Sequence, residues 1–435
     1  MSEHAAPRSG WIPLAILVVA LTLRVAFLFG HPMPLRSDEL DYDQLGWTLA
    51  RTGTYSMEGH PTAYRAIGYP AVLAAVYAVA GRNPAAAKLV QVFLDAGTAL
   101  LLYFLFSRRN RTAGLLVGLT WAAFPAAILF ASQLFSESVS VFALVLFACV
   151  LDRIDLNGRE FPWVAGLLLG GLVLVRPFLA LFALSIPIAF HRTGAERRIL
   201  AVVTLACLPV ALWIGRNALV MHAPVLTTST GVNLLIGNNP IATGGYSRVD
   251  SASVPTVDGS ETRADSAATR AAASYAAEHP YRTLSTALRK VLLLLTSEGE
   301  LVVGNFAEGA GNAWGRFRDR FRPVPLWIHL LVSLPSALIL ILGTLGLATR
   351  RSDLVSRLFY ALLLTTLVST VIFFGGSRFR FPLMPFLSGF AAEVIAAPKA
   401  RLRAFTRTRL ALVVAACSVY IVVWAGELYL MRVLR

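Results

Sequence analysis

The sequence predicts an all-α polytopic membrane protein with about eleven transmembrane helices. The composition is 56% hydrophobic, with a mean hydropathy of +0.65. Repeated apolar runs approach the roughly 20 residues that a helix needs to cross a bilayer. Because short loops rich in arginine separate several of these runs, the formal charge of +15 indicates loops kept in the cytoplasm rather than nucleic-acid binding.

The apolar runs set the predicted order of the helices. They fall near residues 11–30, 66–81, 85–106, 112–131, 135–151, 162–190, 198–220, 325–347, 354–374, 380–397 and 408–431. We expect the N-terminus to be cytoplasmic and the first run to remain as a helix.

Four short basic loops predict the orientation of these helices. They lie at residues 108–111, 192–198, 350–357 and 399–409, and the positive-inside rule places them in the cytoplasm. The segment 31–45 then lies outside. The protein is accordingly expected in a bacterial inner membrane, with its functional face extracytoplasmic.

Two runs do not fit a single crossing. Run 66–81 has 16 residues with Gly68 and Pro70, which is about 24 Å of helix, and we predict that it lies on the outer face. Both loops that flank run 162–190 are predicted to be cytoplasmic, so we predict that this run forms two short helices joined by a turn at Arg176–Pro177.

These assignments divide the chain into three regions. They are an N-terminal transmembrane module at 1–220 with its first outer loop at 31–84, an extracytoplasmic region at 221–324, and C-terminal transmembrane helices at 325–435. Within the second region we predict a helix over 261–278 and an interfacial helix over 284–295.

Acidic residues crowd directly after the first helix. Asp38, Glu39, Asp41 and Asp43 fall within six residues, in a chain with 24 acidic residues in total. They fit either a solvated loop or a catalytic site. Glu137 follows the third predicted crossing on the same side, where it is either a charge at a helix start or a second catalytic acid.

Arginines accompany these acids at the outer ends of the helices. Arg65 precedes run 66–81, Arg176 lies at the predicted turn, and Arg378 and Arg380 lie at the outer start of run 380–397. Arginine near the apolar zone needs a cavity or an anion. These side chains therefore either reach toward lipid headgroups or bind a lipid phosphate. The sequence contains no nucleotide-binding or zinc-protease motif.

Several motifs in order resemble the family 39 branch of the GT-C membrane glycosyltransferases. In this chain they are Arg36–Tyr42, Tyr64–Pro70, Phe124–Glu137, Gly166–Pro177, Gly231–Tyr246 and Arg378–Phe386. The resemblance implies a GT-C fold and inverting transfer of a sugar from a polyprenyl-phosphate donor to a hydroxyl acceptor, which is a lipid, a glycan or a protein. It leaves the sugar, the acceptor and the use of a divalent metal open.

The resemblance also implies the roles of individual residues. Asp38 would be the catalytic carboxylate beside Glu39, and Glu137 the acid of the second outer loop. From their own positions and chemistry, we expect the substrate-binding residues to be Tyr64, Arg65, Arg176, Asn238, Asn239, Arg378 and Arg380. The alternative function is a transporter or flippase of lipid-linked sugars. That class favours charged residues near the middle of the membrane, whereas the polar residues here gather at one face.

Overall fold

The computed structural model describes residues 10–154, 162–246, 260–307, 324–403 and 405–433, and its regular structure is almost entirely helical. The helices are α1 Trp11–Gly30, α2 Asp38–Thr52, α3 Gly68–Ala80, α4 Pro84–Ser107, α5 Arg111–Ala122, α6 Pro125–Ala131, α7 Ser136–Arg153, α8 Trp163–Val175, α9 Leu179–Ala189, α10 Glu196–Met221, α11 Thr230–Gly237, α12 Glu261–Glu278, α13 Pro280–Leu294, α14 Gly299–Phe306, α15 Leu326–Thr349, α16 Leu354–Ile372, α17 Met384–Ala396, α18 Pro398–Arg403 and α19 Arg407–Val433. A 3-10 helix, Ser377–Leu383, precedes α17, and an antiparallel pair, β1 Ser56–Met57 and β2 His60–Pro61, follows α2.

Seven of the described helical segments are long and apolar enough to cross a membrane, or eight if the bent pair α5–α6 is one crossing. The protein is therefore an integral multi-pass membrane protein. The predicted number of eleven crossings is not confirmed. Its remaining three crossings correspond to α7, which carries three charged residues, and to α8 and α9, which have 13 and 11 residues.

Proline breaks two of the predicted runs. Run 112–131, which we expected to be one crossing, bends by 51° between α5 and α6. Pro125 disfavours the helical conformation at Phe124, which has φ −70° and ψ 113°. The predicted break at Arg176–Pro177 is confirmed, because α8 ends at Val175 and Arg176 is extended.

The short helices of the first outer loop form a layer on one end of the bundle. α2 packs on α3, and α3 packs in turn on α8 and α4. Gly68 makes this approach close, since a Cβ there would lie 2.4 Å from the backbone nitrogen of Val175. A larger residue would push α3 away from the end of α8, where Arg176 lies.

The region 221–324, which we predicted to be extracytoplasmic, contains two helices near their predicted positions. α12 has the predicted bounds, and α13 begins at Pro280, a few residues earlier than expected. Tyr281, Leu284 and Leu288 are exposed at helical spacing on α13, whereas Lys290 is buried. The carboxylate of Glu261 accepts hydrogen bonds from the Ala63 N–H and the Thr62 hydroxyl, which ties α12 to the first outer loop.

A buried ion pair holds α1 against α4 and α5. Arg24 donates to Asp95, with its Nε 2.5 Å from Oδ2, and both side chains are fully buried. The guanidinium also donates to the carbonyls of Trp121 at 3.0 Å and Ala122 at 2.7 Å. These carbonyls end α5 at the bend, where the helix has no further N–H groups to offer them.

We expect Arg24→Met to destabilise the fold by about 3–5 kcal/mol, because it leaves a buried carboxylate without its cation. Thermal unfolding in detergent measures the effect, and Arg51→Met, at an exposed position of α2, is the matched control. The double variant Arg24→Met with Asp95→Leu should lose less than the single variants combined. Unchanged unfolding of Arg24→Met would contradict the role of the pair.

The predicted orientation is tested by cysteine labelling in a background without Cys149, Cys207 and Cys417. We expect cysteines at the exposed positions Leu40 and Ala85 to react with an impermeant thiol reagent from outside the cell, and one at Lys399 to react after permeabilisation only. Labelling of residue 85 from the cytoplasm alone would show that α3 crosses the membrane.

Candidate active site

Three arginines and three carboxylates meet where the first outer loop covers the bundle. We call this group the arginine–carboxylate cluster. Its members are Asp38, Asp41, Arg65, Glu137, Arg176 and Arg378. They come from α2, the segment before α3, the start of α7, the end of α8 and the 3-10 helix. The cluster contains five of the ten residues expected at the site.

Asp38 and Asp41 hold Arg65 between them. The two acids are three residues apart in α2, so their side chains share one face of the helix. Arg65 Nη2 lies 2.8 Å from Asp38 Oδ1 and 2.8 Å from Asp41 Oδ2. Asp38 is also the first residue of α2, where the helix dipole favours negative charge. Its side chain is 27% exposed, so solvent and ligands can reach it.

Glu39 lies beside the cluster and positions it. Its Oε1 accepts the Leu134 N–H at 2.8 Å, and its Oε2 accepts the Arg36 N–H at 3.1 Å. The second bond fixes the turn at Ser37, a non-glycine residue with φ +48°. Glu39 therefore sets where α2 begins, and with it where Asp38 points.

Glu137 is buried and pairs with two arginines. Arg378 donates to Glu137 Oε1 from Nε at 3.0 Å and places Nη2 at 2.9 Å, while Arg176 Nη1 lies 3.3 Å away. The Glu137 side chain has no exposed surface. Arg378 also faces Asp38, with Nη1 3.7 Å from Oδ2.

The positive charges around Asp38 decide its ionisation. Burial alone would raise the pKa of Asp38, but Arg65 and Arg378 outweigh burial and hold the pKa below its usual range. Asp38 is therefore anionic at neutral pH and a weak base while both arginines face it. The pKa of Glu39 is raised instead, because burial exceeds the attraction of Lys88 at 3.9 Å.

Aromatic rings hold each arginine of the cluster from the side. The Arg65 guanidinium lies 5.3 Å from the ring centroid of Tyr42 and 5.0 Å from that of Tyr64. The Arg378 guanidinium lies 5.2 Å from the ring centroid of Phe135. The Arg176 guanidinium lies 5.1 Å from that of Phe178. Cation–π contacts of this kind restrict the orientation of the guanidinium planes. Tyr64 therefore acts through Arg65.

Arg380, which we expected to join Arg378 on a phosphate, lies in a different network. Its side chain is 2% exposed and donates to Glu298 Oε1 at 2.6 Å and to the carbonyls of Leu294 and Thr296. A 3-10 helix has about three residues per turn, so residues two apart point in different directions. Arg380 therefore anchors the segment after α13.

Asn238 and Asn239 bind backbone groups rather than the cluster. The Asn238 amide donates to the carbonyls of Leu234 and Ile372, and its Oδ1 accepts from Lys290 Nζ. Asn239 caps the end of α11 through the carbonyls of Leu235 and Ile236. Both side chains are occupied in shaping this turn, which differs from the substrate-binding role expected of them.

Asp41, Tyr42 and Lys88 lie in or beside the cluster, although we did not predict individual roles for them at the site. The spacing of Asp41 and Tyr42 from Asp38, three and four residues, places them on one helical face and was a usable signal. Lys88 is a charged residue inside an apolar run and is 6% exposed. Its burial depends on contacts between α4 and the outer loop, which no local pattern reveals.

The carboxylates of the cluster face guanidinium groups. Among the described residues, no group of three or more His, Cys, Asp or Glu side chains is arranged to hold a metal ion. A metal at Asp38 or Glu137 would have to compete with Arg65, Arg176 and Arg378 for the same oxygens.

The sequence matches no protein-family model and no curated protein. Solved structures of remote identity resemble the chain. One is the oligosaccharyltransferase of Archaeoglobus fulgidus tethered to an acceptor peptide that contains the NVT sequon, with 12% identity and a TM-score of 0.44. That match covers 98% of this chain and 55% of the other, so this chain spans about half the length of the archaeal protein.

Two further structures give similar values. The apo form of the same oligosaccharyltransferase has 13% identity and a TM-score of 0.45, covering 98% of this chain and 56% of that one. ArnT from Cupriavidus metallidurans, bound to undecaprenyl phosphate, has 13% identity and a TM-score of 0.43 over 90% of this chain and 79% of its own.

Proposed function

We propose that this protein is an inverting glycosyltransferase that moves a sugar from a polyprenyl-phosphate donor to a hydroxyl acceptor on the extracytoplasmic face. The observation that carries the proposal is the position of Asp38 between Arg65 and Arg378 in a partly open site. It joins a carboxylate that can accept a proton with cations that can receive a phosphate. Transfer from a lipid phosphate needs both functions, and it needs no nucleotide-binding domain because the donor is already activated.

Arg378 is suited to the phosphate of the donor. The Nε and Nη2 atoms of Arg378 contact Glu137, which fixes the orientation of the guanidinium. The remaining nitrogen, Nη1, faces Asp38 at 3.7 Å. The Arg378 side chain is 32% exposed, and a phosphate oxygen can bind at Nη1 without breaking the pair with Glu137. Glu137 is then a positioning residue.

The reaction follows from this placement. The acceptor oxygen attacks the anomeric carbon on the face opposite the phosphate, and Asp38 takes the hydroxyl proton. The bond from the anomeric carbon to the phosphate oxygen breaks, and the lipid phosphate leaves with the electron pair. Arg378 and Arg65 stabilise its growing negative charge. Attack from the opposite face inverts the configuration at that carbon.

Donor binding would also make Asp38 a stronger base. In the free site the two arginines lower its pKa, which weakens it as a proton acceptor. A phosphate at Arg378 supplies negative charge that offsets part of this attraction, and the pKa of Asp38 then rises toward its usual value. The base becomes effective once the donor is in place.

We expect Asp38→Asn to lower the rate of transfer from a polyprenyl-phosphate sugar by roughly a hundredfold or more, because general bases contribute about 10²–10⁴ in rate. Asp41→Asn is the matched control, since it also removes one contact to Arg65 but does not face Arg378. Purified protein with labelled donor provides the measurement. Transfer by Asp38→Asn at the wild-type rate would remove the base assignment, and donor movement across vesicles without any product would favour the flippase.

The pH dependence gives a second readout of the same variant series. The rate should fall as the pH drops through the pKa of the base, and this acid limb should lie at higher pH for kcat than for kcat/KM of the donor. An acid limb at the same pH in both profiles would contradict activation of Asp38 by the donor.

We expect Arg378→Lys to weaken the response to donor concentration by roughly ten- to hundredfold, which corresponds to about 1.5–3 kcal/mol for one charge-assisted contact. A lysine supplies a point charge but cannot bind Glu137 and phosphate with one planar fork. Arg380→Lys is the comparison, because it should lower thermal stability and leave the KM for the donor unchanged. Equal donor dependence in wild type and Arg378→Lys would leave Arg65 as the phosphate-binding candidate.

A further inference from the structure

A charged cavity of about 480 Å³ lies at the end of the bundle away from Asp38. Arg109 follows the last turn of α4, whereas Lys88 in the first turns of the same helix approaches Glu39. A helix of 24 residues is about 36 Å long, so the two sites are far apart. The charged residues that line the cavity are Arg109, Arg350, Arg351, Asp353, Glu393 and Arg401.

The positive charges of this cavity exceed its negative charges. Asp353 is shared by two arginines, with Arg350 Nη2 at 2.6 Å and Arg109 Nη2 at 2.9 Å. Glu393 is likewise shared, by Arg350 Nη1 and by Arg401 Nη2 at 2.7 Å. Three arginines therefore contact two carboxylates, and Arg351 adds a fourth guanidinium, which leaves a formal excess of two positive charges in the lining. Asp152 lies outside the lining, 3.8 Å from Arg109 Nη2, and pairs more closely with Arg108 at 2.6 Å.

Packing fixes the centre of this network. Arg350 is 9% exposed, and its guanidinium lies 4.9 Å from the ring of Phe390 and 5.6 Å from that of Phe106. Arg351, the next residue, is exposed and has no hydrogen bond or ion pair with the described part of the chain. The cavity thus combines the buried guanidinium of Arg350, which is held by its ion pairs, with the accessible guanidinium of Arg351.

We propose that this cavity binds a phosphate-bearing anion, which is supplied by a phospholipid headgroup or by free phosphate. Planar guanidinium forks match the oxygens of phosphate. Basic pockets between transmembrane helices at a membrane surface are suited to lipid headgroups. The positive-inside rule explains arginines in these loops, but it requires their charge alone. It does not require two shared carboxylates to orient them around one cavity.

The proposal is tested by titrating purified protein in neutral detergent with phosphatidylglycerol and counting retained lipids by native mass spectrometry. The variant is Arg109→Gln with Arg351→Gln. The matched control is Arg403→Gln with Arg407→Gln, which removes the same charge from exposed positions outside the cavity lining. We expect roughly tenfold weaker retention for the cavity variant and wild-type retention for the control.

A second arm uses inorganic phosphate and thermal unfolding, with chloride at equal ionic strength as the reference. A rise of the unfolding midpoint with phosphate in wild type but not in the cavity variant, without lipid retention, assigns the site to a free anion. Lipid retention assigns it to a headgroup. Binding of neither probe by wild type, or equal loss in the cavity and control variants, overturns the proposal. If Arg109→Gln impairs folding, Arg351→Gln alone carries the test, because Arg351 has no hydrogen bond or ion pair to lose among the residues that the structure describes.

Discussion

The burial of Glu137 is the constraint on which the arrangement of the candidate active site depends. A carboxylate without exposed surface has lost its water, and the cost of that loss is offset when cations replace it. The cations come from two distant segments, Arg176 at the end of α8 and Arg378 before α17. Their meeting point fixes this end of the bundle, and Asp38 joins it through Nη1 of Arg378.

The interrupted helices give these side chains their positions. Arg176 lies where Pro177 ends α8, and Arg378 lies in a 3-10 segment before the regular turns of α17. If the helix continued without a break at either arginine, the side chain would project sideways from the helix and would not reach the cluster. Short breaks instead let the side chain leave at the end of a helix, where the backbone is already irregular and a charged group meets less packed apolar surface.

The sequence predicted most of the helices because their signals are local. The proline at 177 predicted the break after α8, and the alanine-rich stretch predicted α12 with its observed bounds. The bend at Pro125 was missed, since the apolar run continues through it without a charge or a loop. Helices such as α9 are apolar but short. They are counted as crossings in the eleven predicted from the sequence, but not among the seven or eight helices that are long enough to span a membrane.

The sequence predicted the site less completely, because contacts between distant segments decide which residues meet. Asp38, Arg65 and Arg378 were selected correctly as neighbours in space, although their role in catalysis stays a prediction. Arg380 looked equivalent to Arg378 in the sequence, and the choice between them is made by Glu298, 82 residues away along the chain. Lys88 was missed for the same reason.

The pair of Arg24 and Asp95 also has a consequence for the order in which the chain is made. α1 is synthesised with a guanidinium among its apolar residues, and the carboxylate that neutralises it follows 71 residues later. Arginine near the middle of a helix opposes insertion by about 2.5–3.5 kcal/mol, which the surrounding leucine, valine and phenylalanine residues of α1 must outweigh. α1 therefore carries its guanidinium without these partners until α4 and α5, which supply them, have been synthesised.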